Sequence, residues 1–229
     1  MHRVEIRQDI IDRVLTKRGK IHPYERLDPA KTALVIIDMQ NTFCQEGAPA
    51  EVPASRDIVQ ALNALTGEAR ALGVRVVWVT MVHRNDDGGS EWNLYYNGIL
   101  SGDVRDLSMQ SMSPDGEGRN IWNELNVEPG DVCIEKTRYS ALVPSSSHLE
   151  RWLRGYGMEN VLIAGTKTNV CCESTARDAM QLDFRVVLVS DCCAALSDDE
   201  HRATLETVIQ QFGDVMTAEE VLAALRAEA

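Results

Sequence analysis

From Thr32 onward the apolar positions of this chain alternate between two rhythms. Short β-branched runs, Ala33 to Ile37, Val74 to Thr80, Val132 to Ile134, Val161 to Ala164, Val186 to Val189 and the brief Val215-Met216, predict strands. Between them, Ser55 to Leu72, Ser146 to Arg154, Val170 to Leu182 and Asp198 to Gln211 predict helices, and Thr217 caps a last one through Leu225. The strand runs are apolar throughout rather than alternating, so they suit strands covered on both faces. The expected architecture is α/β, a parallel sheet flanked by helices.

Two stretches depart from that rhythm. Ile6, Ile10, Ile11 and Val14 recur at helical spacing, which predicts a helical arm over residues 1–28 that packs on the main domain, residues 29–229, or on a neighbouring subunit. From His83 to Gly118 no long periodic segment is found; the stretch holds Asn85-Asp86-Asp87-Gly88-Gly89, the aromatic trio Trp92, Tyr95 and Tyr96, and Ser113-Pro114-Asp115-Gly116. A loop this long in a compact domain is usually functional. Its aromatic trio either closes over a substrate or packs between subunits.

Composition narrows the function classes. With 229 residues, 44% of them hydrophobic, the chain can bury a substantial core, and a formal charge of −12 argues against nucleic acid as a partner. The first twenty residues contain no continuous apolar run, so neither a signal peptide nor a membrane anchor is expected. Six cysteines include the adjacent pairs Cys171-Cys172 and Cys192-Cys193 and no CxxC spacing, which fits a reduced cytoplasmic protein. Cys44, Cys133, Cys192 and Cys193 lie in or beside apolar stretches and are expected in or near the core.

In open α/β sheets the ligand crevice lies beyond the carboxyl ends of the strands. Three reactive side chains fall at such ends: Asp38 after the first run, Lys136 after Val132 to Ile134, and Cys171 a few residues past Val161 to Ala164. The stretch Gly165 to Thr175 places the Cys171 thiol at the start of a helix, where the dipole favours a thiolate. Each residue alone has a bland alternative: a buried small thiol, a loop or cap aspartate, a solvated Glu135-Lys136 pair. Jointly they supply a nucleophile, a proton shuttle and a stabilising charge.

The segments Leu34 to Phe43, Glu135 to Ser140 and Gly165 to Arg177 resemble, in order and spacing, the isochorismatase-like cysteine hydrolase superfamily, and the likeness runs from about Pro29 to Leu225. The resemblance implies a three-layer α/β/α, Rossmann-like fold with a six-stranded parallel sheet. It also implies an Asp-Lys-Cys triad, here Asp38, Lys136 and Cys171. Its oxyanion hole would use the backbone amides of Lys167 and Cys171, with a cis peptide between Thr166 and Lys167. Lys-x-Arg-Tyr-Ser at 136–140 and Thr-Asn-Val-Cys-x-Glu-Ser-Thr at 168–175 look most like the ureidoacrylate amidohydrolase branch, near biuret and triuret hydrolases. Nicotinamidases of the superfamily carry Asp-x-His-x-x-x-His after the second strand, whereas here that region reads Val82-His83-Arg84-Asn85-Asp86. No metal and no cofactor are therefore expected.

Proximity to Asp38 and Lys136 makes Gln40, Asn41, Phe43 and Tyr139 candidate pocket residues, joined by His83, Trp92 and Tyr95 from the long loop. Arg84 and Arg138 either grip a substrate carboxylate or form structural ion pairs. His148 and His201, on helical stretches, are expected at the surface, and Cys172 is expected to pack against the sheet. The expected activity is metal-independent cleavage of the C–N bond of a small linear ureide or carbamoyl amide through a thioester. A homo-oligomer, dimer or tetramer, is the state the resemblance implies. The alternatives are a vinyl-ether hydrolase of isochorismatase type and a catalytically idle binding protein of the same fold.

Overall fold

The computed structural model describes residues 2–84 and 92–228; the Asn85 to Gly89 cluster lies outside the described residues. Six strands, β1 (Thr32–Ile37), β2 (Arg75–Met81), β3 (Val132–Lys136), β4 (Asn160–Thr166), β5 (Arg185–Ala194) and β6 (Asp214–Met216), form one sheet in the order β3-β2-β1-β4-β5-β6. Every pairing is parallel. The order runs outward from β1 in one direction and from β4 in the other, so the crevice between their carboxyl ends is the switch point of the fold.

The helices are α1 (Gln8–Arg18), α2 (Asn41–Cys44), α3 (Ala54–Asp57), α4 (Val59–Ala71), α5 (Asn93–Gly98), α6 (Gly102–Ser111), α7 (Leu149–Gly155), α8 (Glu173–Gln181), α9 (Asp198–Gln211) and α10 (Ala218–Arg226). Successive strand side chains point to opposite faces. Leu34, Ile36, Val76, Trp78, Leu162 and Val187 meet Leu62 and Leu65 of α4 and Val221 and Leu225 of α10 on one side. Ala33, Val35, Val77, Ile163 and Leu188 meet α1, α7, α8 and α9 on the other. The result is the expected three-layer sandwich.

The arm is a helix, α1, whose Ile10 and Val14 are buried in the second core layer. Arg7 fixes its start by donating to Glu206 of α9 through Nε at 2.9 Å and a terminal guanidinium nitrogen at 2.7 Å. At the far end, Thr217 opens α10 with a reciprocal capping box to Glu220. Among the described residues no helix is long and apolar enough to cross a membrane.

Three local features differ from the sequence expectation. The stretch read as irregular contains α5 and α6. Cys171 lies in a π-helical turn over Thr168–Cys172, closed by the Cys172 N–H donating to the Lys167 carbonyl at 3.2 Å, and the regular helix α8 begins only after it. Such turns recur at functional sites. Finally, β5 outruns its predicted end because its pairing with β4 shifts: Ile163 faces Leu188, but Gly165 faces Cys193. That slack carries the chain on to Leu196, above the sheet's carboxyl edge.

Candidate active site

Asp38 is the first residue past β1 and sits in the left-handed region at φ 54°. Aspartate tolerates that conformation better than most residues, and such backbones cluster at functional positions. The turn is held by the Asp38 N–H donating to the Val79 carbonyl and the Gln40 N–H donating to the Asp38 carbonyl, both at 2.8 Å. On β3, Lys136 pairs in register with Met81 at the carboxyl end of β2. Its side chain crosses β2, passing Met81 Sδ at 3.5 Å, to place Nζ 2.8 Å from Asp38 Oδ2.

Both partners are wholly buried. Neither Asp38 oxygen has a well-aligned hydrogen-bond donor, so the Lys136 contact is first an ion pair, with the ammonium also donating to the Arg138 carbonyl at 3.1 Å. Burial pushes the Asp38 carboxyl above its ordinary range, against the opposing pull of Lys136 and of the Cys171 thiol. For Lys136 burial acts downward, but the Asp38 charge and then Cys171 outweigh it and raise the ammonium.

The same physics revises the picture of Cys171. Burial first, and the Asp38 charge second, hold its thiol well above the usual value. The helix-start dipole was expected to favour a thiolate; here desolvation in a site only 5% exposed outweighs it. The resting group is a thiol facing a carboxylate of raised basicity, an arrangement suited to proton transfer on demand.

Cys171 opens onto a cavity of about 410 Å³ that is also lined by Lys167. The peptide between Thr166 and Lys167 is cis. Close approach of β1 and β4 beneath it requires Gly165, at φ +110°, where a Cβ would lie 2.1 Å from the Ile37 carbonyl oxygen.

Residues 32–220 match the isochorismatase domain model. The chain belongs to the isochorismatase family. Among its relatives is the ureidoacrylate amidohydrolase RutB of Agrobacterium fabrum, 30% identical over 204 residues, which cover 83% of this chain and 88% of that protein. A cysteine hydrolase from Pseudomonas syringae pv. phaseolicola superposes with a TM-score of 0.74 at 27% identity, covering 89% of this chain and 96% of the other. The N-carbamoylsarcosine amidase of Thermoplasma acidophilum does so with a TM-score of 0.65 at 26% identity, covering 82% and 97%.

Within this isochorismatase-family site the candidate pocket residues separate into two groups. Phe43, Tyr95 and Tyr139 line the cavity beside Cys171. Trp92 stands behind it, stacked on Tyr95 at 4.6 Å and edge-on to Tyr139 at 4.7 Å. His83 is buried against Tyr96, ring centroids 4.5 Å apart, and is not part of the cavity wall. Gln40 is a scaffold residue: its amide nitrogen donates to the Met81 and Arg119 carbonyls at 2.9 and 2.8 Å, and its oxygen accepts from the Met81 N–H at 2.7 Å. Asn41 donates to the Glu117 carbonyl at 3.0 Å and faces a separate depression.

The two arginines lie away from the cavity wall. Arg84 pairs with Glu135 at 2.8 Å over a different surface depression. Arg138 donates to the Thr137 carbonyl at 2.8 Å, with its guanidinium 5.3 Å from the centre of the Trp92 ring. Cys172 packs in the core as expected, whereas Cys133 is exposed on the edge strand β3. Among the described residues no group of three or more His, Cys, Asp or Glu is placed to hold a metal ion.

Sequence reasoning missed the wall supplied by α6 and its flanks. Leu100, Val104, Ser108 and Met112 all line the cavity, and their four-residue spacing was a helical signal present in the chain. It also missed His201, which is buried rather than superficial, 2% exposed. His201 Nδ1 lies 2.9 Å from Thr168 Oγ1 in the turn carrying Cys171, and its ring stacks on His2 of the arm at 4.4 Å.

Proposed function

We propose that this chain is a cysteine-dependent amidohydrolase that cleaves the C–N bond of a small amide or carbamoyl compound through a thioester. Asp38 takes the Cys171 thiol proton as sulfur attacks the carbonyl carbon. The carbonyl oxygen gathers negative charge, and the backbone N–H groups of Lys167 and Cys171 are the donors proposed to receive it; fixed donors of this kind are worth several kcal/mol of barrier. Collapse of the adduct breaks the C–N bond, with Asp38 returning the proton to the departing nitrogen. Water then adds to the thioester, Asp38 takes its proton, and the acid leaves as Cys171 regains its thiol.

Lys136 keeps a carboxylate of raised basicity available in a dry site and steadies the charges that pass through it. The observation that carries this reading is the fully buried 2.8 Å Lys136–Asp38 ion pair beside the Cys171 thiol, which itself borders a cavity sized for a small molecule. The names of the relatives, an amidohydrolase of a ureide and an amidase of an N-carbamoyl compound, agree with it. Six free thiols suit a reduced cytoplasmic setting, and a homo-oligomer is the assembly we expect.

The test is ammonia release from a panel of amides and ureides by the wild type and by Cys171→Ala and Cys171→Ser. Loss of at least a thousandfold in both variants is expected. Unchanged ammonia release by Cys171→Ala would overturn the thioester route, and no ammonia release by the wild type would point instead to acid-assisted vinyl-ether hydrolysis or to a binding protein.

A further inference from the structure

The cavity beside Cys171 is walled differently from what a ureide requires. Once buried, the several donors and acceptors of a ureido group each need a matched partner, and a substrate carboxylate needs a cation. The wall is instead built from Phe43, Leu100, Val104, Met112, Val170 and Leu196.

Among the described residues its polar members are Glu51, Tyr95, Tyr96, Ser108, Tyr139, Lys167 and the Cys171 thiol. Among the described residues Lys167 is the single Lys or Arg in the wall. The Glu51 carboxylate is held by the Gly47 N–H at 2.8 Å and Arg56 at 2.9 Å, which keep it below its usual range and therefore charged. Arg56 balances that charge, so the pair offers a substrate neither a free cation nor a free carboxylate. The Tyr139 hydroxyl is hydrogen-bonded to Tyr95. Ser108 adds one hydroxyl. The volume of about 410 Å³ exceeds what a molecule as small as biuret fills; it equals the share of roughly a dozen waters.

We propose that the substrate is an uncharged amide or carbamoyl compound whose non-reacting end is apolar, and that short polar ureides and carboxylate-bearing ureides are poor substrates. This rests on the amidohydrolase reading of the site. Filling such a wall raises kcat/KM by about fourfold per buried methylene.

The experiment compares acetamide, propanamide, butanamide, hexanamide and phenylacetamide with biuret and ureidoacrylate. Ammonia release is measured with the wild type, and binding is measured by calorimetry with Cys171→Ala, which separates recognition from chemistry. The expected result is a rise along the aliphatic series in both measurements, with hexanamide or phenylacetamide at least tenfold above biuret and ureidoacrylate. A flat series, or biuret or ureidoacrylate ahead of the apolar amides, overturns the inference while leaving the hydrolytic reading intact. Preserved binding order with no ammonia from any compound supports the apolar preference and overturns the hydrolytic reading.

Discussion

Lys136 Nζ lies 2.8 Å from Asp38 Oδ2 with both side chains sealed from solvent, although the two residues come from strands separated in the sheet by β2. A buried pair of this kind is costly to break by halves, because the remaining charge has no water to turn to. Lys136→Met is therefore expected to lose about 3–5 kcal/mol of stability together with amidase activity. Adding Asp38→Asn should restore much of the stability and none of the activity. Urea melts and ammonia release on the three proteins separate the two effects; recovered activity in the double variant would contradict a proton-carrying role for Asp38.

The acid limb of activity should report the Asp38 carboxyl. A base works only when deprotonated, so kcat/KM rises with pH through its pKa. Burial raises that pKa above the ordinary 3.8, so the midpoint belongs above that value. A limb centred at or below 3.8 would mean that another group governs the reaction.

Gly165 packs against the backbone of β1 beneath the site, and a Cβ there would meet the Ile37 carbonyl oxygen at 2.1 Å. Gly165→Ala is expected to destabilise the fold by about 3 kcal/mol or more, from overpacking and from an unfavourable positive φ. Denaturant unfolding measures it. A change below about 1 kcal/mol would show that the strands can part without penalty.

His201 contributes a second pH dependence. Burial lowers its pKa from 6.5 to about 4, so as pH falls the unfolded chain takes up a proton before the folded one does. Stability should drop between those two values, by about 3 kcal/mol in total, and be unaffected above about pH 7. His201→Gln should flatten the curve in that window. The imidazole also partners Thr168 in the turn that bears Cys171, so activity in the variant should fall along with the lost slope. Parallel stability curves for the two proteins would rule the residue out as the source.

Much of the fold was legible because parallel strands buried on both faces must be apolar at every position, as Leu34 to Ile37 and Val161 to Ala164 are. Asp38, Lys136 and Cys171 stood out by their common place at strand ends. What the sequence hid were consequences of burial and of irregular backbone. The dipole argument for a Cys171 thiolate ignored desolvation, which only the packed site reveals. Gln40 looked like a recognition residue, yet the backbone around it had donors and acceptors to satisfy first. The face of α6 was hidden by Ser108 in its four-residue stripe, which interrupts an otherwise apolar row.

The central claim, that Cys171 becomes acylated during turnover, is tested most directly by quenching the enzyme in acid while it turns over an amide and weighing the intact protein. The mass should increase by the acyl group of the substrate used, on the peptide containing Cys171, and Cys171→Ala should show no increase. An enzyme that releases ammonia at full rate yet never carries that mass, even with a slowly hydrolysed acyl group, would contradict the account.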